Sequence, residues 1–205
     1  MKSPFYLAVS ICLLISIASC SKDSGIKLQA HDNNRMMDSV HVMMSRMDTT
    51  KMTNDPDIDF AAMMRMHHQG AISMANLEIQ QGKNDSLKRI AQKTIEEQQK
   101  EIQDLSRILA GLSVDNSDPE FTMEQKANMG KMDTTADIQL ITGDIDNDFA
   151  TLMIVHHQSA TDNASAYLHH GHYPDLLDMA KSMVKSQTME INELASWLIA
   201  NKRKP

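Results

Sequence analysis

Two pairs of adjacent histidines, His67-His68 and His156-His157, are the residues best placed for chemistry, because each pair follows a methionine, Met64 or Met153, by three and four positions. Residues three and four apart share one face of a helix. A thioether and two imidazoles can therefore converge on one ion from a single helix, and soft donors of that kind select soft metals. At about 100° per residue, Phe60, Met64, Ala71 and Ala75 form an apolar stripe with His67 and His68 on its two sides. The competing reading makes each histidine a half-buried imidazole hydrogen-bonded to a neighbouring helix. Recurrence of the pair at the same place in the same pattern favours the metal.

That recurrence belongs to an internal repeat. At an offset of 89 residues, Asp59-Phe60-Ala61 matches Asp148-Phe149-Ala150 and His67-His68-Gln69 matches His156-His157-Gln158. The match continues without gaps through Gly82 and Gly171, Gln98 and Gln187, Glu101-Ile102 and Glu190-Ile191. Upstream, Met44 and Met47-Asp48-Thr49-Thr50 have counterparts in Met129 and Met132-Asp133-Thr134-Thr135, with a small gap, so each half carries a methionine-rich lead segment.

The second helix of each repeat places polar groups where the stripe should be apolar. Gln98 lies between Ile95 and Ile102, and Gln187 between Val184 and Ile191, with Glu101 and Glu190 one turn on. A buried glutamine without partners costs roughly 1 to 3 kcal/mol, so these glutamines are expected to bond to the facing histidines. Gln98, Glu101, Gln187 and Glu190 are candidate groups for fixing histidine tautomers, or equally for a buried polar network that sets helix register. Outside the repeats, Met36, Met37, His41, Met43, Met44 and Met47 crowd a polar stretch where core packing explains methionine poorly. They are candidate peripheral ligands, with a short amphipathic helix docked on the bundle as the alternative. His169, His170 and His172 form a further candidate cluster, or a solvated helix end interacting with the dipole.

Stepping from residues to elements, punctuation marks four helices. Pro56 after Asp55 suits a start and Gly82 a stop; Asp85 can cap a second helix ending near Gly111. In the second copy a helix from about Asp146 stops near Gly171, and Pro174 opens a last one reaching about Asn201. The expected fold is all-α, a ferritin-like four-helix bundle over 55–201 built from two repeated hairpins, 55–111 and 146–201, with a long polar connection over 112–145.

Methionine accounts for 18 of the 205 residues, whereas the net charge of -7 and the absence of a dense basic cluster argue against nucleic acid. Lys2, the apolar run Phe5 to Ile17 and Ala18-Ser19-Cys20 read as a signal peptide over 1–19 ending in a lipobox, with Cys20 lipidated at the head of a Met/His-rich segment over 20–54. The second cysteine, Cys12, leaves with that peptide. Any soft-metal site must then use thioether and imidazole. A di-iron bundle needs four carboxylates and two Glu-x-x-His motifs; this chain has Gln-x-x-Glu instead, which argues against a ferroxidase.

Asp-Phe followed by Met, His-His-Gln, Ala and later Gln-x-x-Glu-Ile, present in both copies, resembles the family catalogued as domain of unknown function 305, over roughly residues 55 to 200. The resemblance implies a ferritin-like fold and, through exported members implicated in copper binding and copper resistance, a copper-handling role. Position by position it carries over to Met64, His67 and His68 and to Met153, His156 and His157. The first copy keeps Gly70, Ala71, Ile72 and Met74-Ala75; the second departs with Ser159, Thr161 and Asn163.

The expected function is an envelope lipoprotein, facing periplasm or cell surface, that binds a soft metal for sequestration, tolerance or delivery, without catalysis. Cu(I) is the favoured ion, with Ag(I), Cu(II) or Zn as others, and the expected partners are the metal, a membrane through Cys20 and a second copy of the chain. The competing readings are a metal-dependent redox enzyme of ferritin-like type and a structural envelope protein without metal.

Overall fold

The structure, a computed structural model, describes residues 27–201, so the signal peptide and Cys20 lie outside the described residues. The described chain forms α1 (Arg35–Asp48), α2 (Pro56–Gln81), α3 (Asp85–Leu109), α4 (Pro119–Asp137), α5 (Ile145–His170) and α6 (Pro174–Ala200), with a 3-10 turn at His31–Asn33 and no strand. None of these helices is long and apolar enough to cross a membrane.

The four expected helices are present, with one cap reassigned. Asp55 and Asp144 cap α2 and α5 through their carboxylates, whereas α3 is capped by Asn84, whose Oδ1 accepts from Ser86 and Leu87, and Asp85 is its first residue. Gly82 and Gly171 end α2 and α5 because a Cβ there would collide with Glu78 and Tyr167, which fold back over them.

Two further helices correct the sequence reading. The 112–145 connection contains α4, and the 20–54 segment contains α1, so each half is a lead helix followed by a hairpin. α1 is the short amphipathic helix docked on the bundle that stood as the alternative to peripheral ligands, whereas α4 escaped a reading by apolar stripe, and in both methionine supplies much of the buried face. Met36, Met37, Met43 and Met44 in α1, and Met129 and Met132 in α4, are at most 7% exposed. Core packing therefore does explain most methionines of the lead segment.

At the centre, α2 packs against α5; α3 covers α2 and α6 covers α5, while α1 and α4 pack on α2 and α5 respectively and meet each other. Because α2 and α5 are enclosed by neighbours, they bury residues on nearly every face.

The halves are tied crosswise. Asp59 accepts from Thr53 N and Oγ1, Asn54 N and, from α4, Thr122 Oγ1. Asp148 accepts from Thr142 N and Oγ1, Gly143 N and, from the N-cap of α1, Asn34 Nδ2. The turn before each aspartate passes through the left-handed region, at Asn54 (φ 65°) and Gly143 (φ 75°), residue types that tolerate it. Each lead helix is thus anchored to the turn that opens the other half's hairpin.

Candidate metal centre

α2 and α5 run antiparallel, since the start of each touches the end of the other. Asp57 accepts from Tyr167 Oη and from His172 N and Tyr173 N; Asp146 accepts from Lys83 N and Asn84 N and faces Glu78. Their midpoints cross at the histidines. The rings of His67 and His156 lie against each other, tilted by 37° with centroids 3.7 Å apart, and His156 Nε2 donates to the His67 carbonyl oxygen at 3.0 Å.

All six expected ligands, Met64, His67, His68, Met153, His156 and His157, are at 0% exposure. Burial is what keeps His67 and His156 neutral: it lowers both well below the ordinary histidine range, and the neighbouring imidazoles add to the effect. Neutral imidazole is the form that binds metal.

Carboxylates flank the outer two rings. His68 Nε2 lies 2.7 Å from Glu101 and His157 Nε2 lies 2.9 Å from Glu190. A carbonyl only accepts, so His156 carries a proton on Nε2, whereas the carboxylates beside His68 and His157 stand at ion-pair distance from Nε2 atoms that make no hydrogen bond of normal geometry. The Nδ1 atoms of all three rings are buried without a hydrogen-bond partner, as are both ring nitrogens of His67. A set of imidazoles with acceptors on one side and no partner on the other is the arrangement that metal-binding histidines adopt.

The two carboxylates differ. Glu190 is buried and also bonded by Lys93 at 3.2 Å; burial raises its carboxyl, but His157 and Lys93 outweigh that and hold it at about 2. Glu101 is 22% exposed and its structural neighbours include no such lysine pair. Glu101 and Glu190 therefore occupy the place expected of them beside the histidines. Gln98 and Gln187 do not: Gln98 Oε1 and both amide atoms of Gln187 have no partner. The carboxylates one turn on reach the imidazoles, and a charged acceptor outcompetes an amide.

Among the described residues, no three His, Asp or Glu side chains converge into a ready-made cage. A soft ion held by imidazole, with thioether from Met64 or Met153, fits the donor set.

The peripheral candidates are dispersed. Met36, Met37, Met43 and Met44 pack in the core, as described above. His41 pairs with Asp137 at 3.1 Å. His170 bonds Asp118 at 2.8 Å, which raises it above the ordinary histidine range, and lies near Glu124; His172 Nδ1 bonds Asn116; His169 is exposed. His170 and His172 thus dock the segment before α4 and its first turn onto the α5–α6 turn, and the three do not converge. Conversely, Met44 and Met47 line a surface cavity with Met52, Met63, Met66 and Met129. Met63 and Met66 escaped notice because they lie off the His-bearing stripe; the signal that marks them is that the second copy has Leu152 and Val155 at those positions.

The sequence model of the family described as domain of unknown function (DUF305) matches residues 16–109 and 57–198, spanning both copies of the repeat. No curated protein matches the chain. Among solved structures, CopM in the Ag-bound form obtained by soaking is 26% identical, with TM-score 0.56 over 71% of this chain and 96% of CopM. CopM in the Cu(I)-bound form is 25% identical with TM-score 0.54 over 70% and 96%, and CopM in the Cu(II)-bound form 29% identical with TM-score 0.54 over 69% and 94%.

Proposed function

This chain belongs to the DUF305 family, and from that premise we propose that it is an envelope lipoprotein that binds copper, with Cu(I) preferred, between α2 and α5. One observation carries the reading: four imidazoles gather at zero exposure where α2 crosses α5, and apart from Nε2 of His156 their ring nitrogens have no hydrogen-bond partner, with only the Glu101 and Glu190 carboxylates standing beside His68 and His157. Buried polar atoms left unpaired cost free energy; ligation satisfies them. Similarity to CopM, solved with Cu(I), Cu(II) and Ag, supports the choice of ion.

The role is sequestration or hand-over of copper without turnover. Among the described residues, the carboxylates paired with the four core histidines are Glu101 and Glu190, one per half, which suits holding an ion more than oxygen chemistry at a carboxylate-bridged pair. Cys20 anchors the protein to the membrane; Cys20→Ser should move it from the membrane fraction to the soluble one.

Anaerobic titration of the purified full chain with Cu(I), against a competing chromophoric chelator, tests the site. His67→Gln/His156→Gln should weaken binding at least tenfold, and Cu(I) should raise the melting temperature of the wild type, since ligands that prefer the folded state stabilise it. Unchanged affinity and stoichiometry in that variant would remove the core site.

A further inference from the structure

We propose that the methionine-lined cavity between α1, α2 and α4 is a second soft-metal site, which takes Cu(I) or Ag(I) through thioether sulfur. It goes beyond the histidine site and shares no donor with it.

The cavity has a volume of about 320 Å³ and is walled by Met44 and Met47 of α1, Met52 of the following loop, Met63 and Met66 of α2 and Met129 of α4. Met63, Met129 and Met44 are buried and form its floor, while Met47, Met52 and Met66 are half-buried and reach solvent. Met129 acts as wall, because its sulfur already accepts from Ser159 and Asn163 at 3.5 Å each. The other five supply the donors. Thr50 Oγ1 donates to Met66 Sδ at 3.4 Å, holding that side chain at the cavity edge and leaving a second sulfur lone pair.

Met44 and Met63 also border the core, but packing does not account for sulfur along the whole cavity wall. Where methionine fills the core here, as at Met36, Met37, Met64, Met74, Met153 and Met183, it is wholly buried and lines no part of this cavity. The repeat partners of Met63 and Met66 are Leu152 and Val155, so hydrocarbon serves at the same helix positions in the other half. Thioether clusters are what monovalent soft ions select. The charges at the cavity also suit a cation: Asp48 and Asp133, which are repeat partners, stand against Lys126.

The test is Ag(I) titration of the full chain carrying methyl-13C methionine, followed by NMR, alongside chelator competition. The Met44, Met47, Met52, Met63 and Met66 methyl signals should shift in the wild type and equally in His67→Gln/His156→Gln. Met47→Leu/Met63→Leu/Met66→Leu, a volume-conserving change, should bind one equivalent fewer while keeping the core equivalent. Unmoved cavity methyls at saturating Ag(I), or an unchanged stoichiometry in the triple variant, would overturn the proposal; should that variant fail to fold, the wild-type shifts decide. Loss of affinity on histidine substitution, with cavity methyls unmoved, leaves the core site standing and removes this one; the reverse pattern removes the core site alone.

Discussion

At the opening of α2, Asp59 binds Thr53, Asn54 and a side chain of α4; at the opening of α5, Asp148 binds Thr142, Gly143 and a side chain of α1. At the far ends the halves part. Asp57 faces the phenol of Tyr167, whereas its repeat partner Asp146 faces Glu78, the residue standing where the other half has tyrosine. Along α2 the outer face carries Met63 and Met66 against Leu152 and Val155 in α5. Backbone-directed side chains are kept in both copies and define the scaffold; the side chains that differ set local electrostatics and donor chemistry.

The largest expected effect tests the part held in common. Asp59→Ala and Asp148→Ala each strip a buried carboxylate from backbone and side-chain donors, and each should cost about 3 to 5 kcal/mol in urea unfolding. The crossed ties predict which helix loosens: hydrogen exchange should accelerate in α1 for Asp148→Ala and in α4 for Asp59→Ala. Acceleration confined to the mutated half would break the crossed arrangement.

Next come the helix stops. A Cβ on Gly171 would sit 2.2 Å from the Tyr167 ring, which is stacked on Phe60 and has nowhere to go; on Gly82 it would meet the Glu78 carboxyl at 2.2 Å and the Glu78 carbonyl oxygen at 2.6 Å. Gly171→Ala and Gly82→Ala should each cost about 3 kcal/mol, because neither the Tyr167 ring nor the Glu78 backbone carbonyl can swing aside. A much smaller melting shift for Gly82→Ala would mean that the last turn of α2 relaxes where that of α5 does not.

The ends should differ in pH dependence. Burial, with the Asp146 carboxyl facing it, pushes Glu78 up to about 8, so Glu78 is mostly protonated at neutral pH. A raised folded value gives stability that is full below the unfolded value near 4.5 and is lost as pH rises through 8. His67 and His156, held low, act oppositely and lose stability as pH falls below their unfolded value of 6.5. Glu78→Gln should therefore flatten the decline between pH 5 and 8, while Tyr167→Phe, costing roughly 1 kcal/mol for its hydrogen bond, leaves that slope in place. Urea midpoints across that range decide it, and a slope that survives Glu78→Gln assigns the titration elsewhere.

Much of this architecture was legible in the residues. Pro56, Gly82, Gly171 and Pro174 bound the repeated helices because caps and breakers act locally, and the offset of 89 aligned the histidines that meet at the crossing. Glu101 and Glu190 were legible only as candidates for fixing the histidines or, equally, for a polar network; the sequence pointed to Gln98 and Gln187 for the bond, and it is the carboxylates one turn on that stand beside His68 and His157. What escaped was non-local. Whether a methionine face is packed or open depends on which helix covers it, so α1 and α4 read as ligand-rich and polar segments. The raised carboxyl of Glu78 arises from burial beside Asp146, a residue brought to it only by the antiparallel crossing of α2 and α5.

The smallest expected effect concerns the unequal carboxylates beside the histidines. Lys93 of α3 pairs with Glu190 of α6 across the halves, and its repeat partner is Ser182, so the Glu101 side lacks an equivalent cation. The lysine side chain is 46% exposed, hence screened, and Lys93→Ser should cost no more than about 1 kcal/mol at neutral pH. Its larger signature lies on the acid side. Glu190 has a lowered folded value, so its stabilisation is present above the unfolded value of 4.5 and fades as pH falls toward 2. Without Lys93 the carboxyl titrates at higher pH, though His157 still holds it below its ordinary value, and the acid unfolding midpoint should move upward. α3 and α6 otherwise meet at few points, so a loss well above 2 kcal/mol at neutral pH would show instead that this ion pair is the main tie between those two helices.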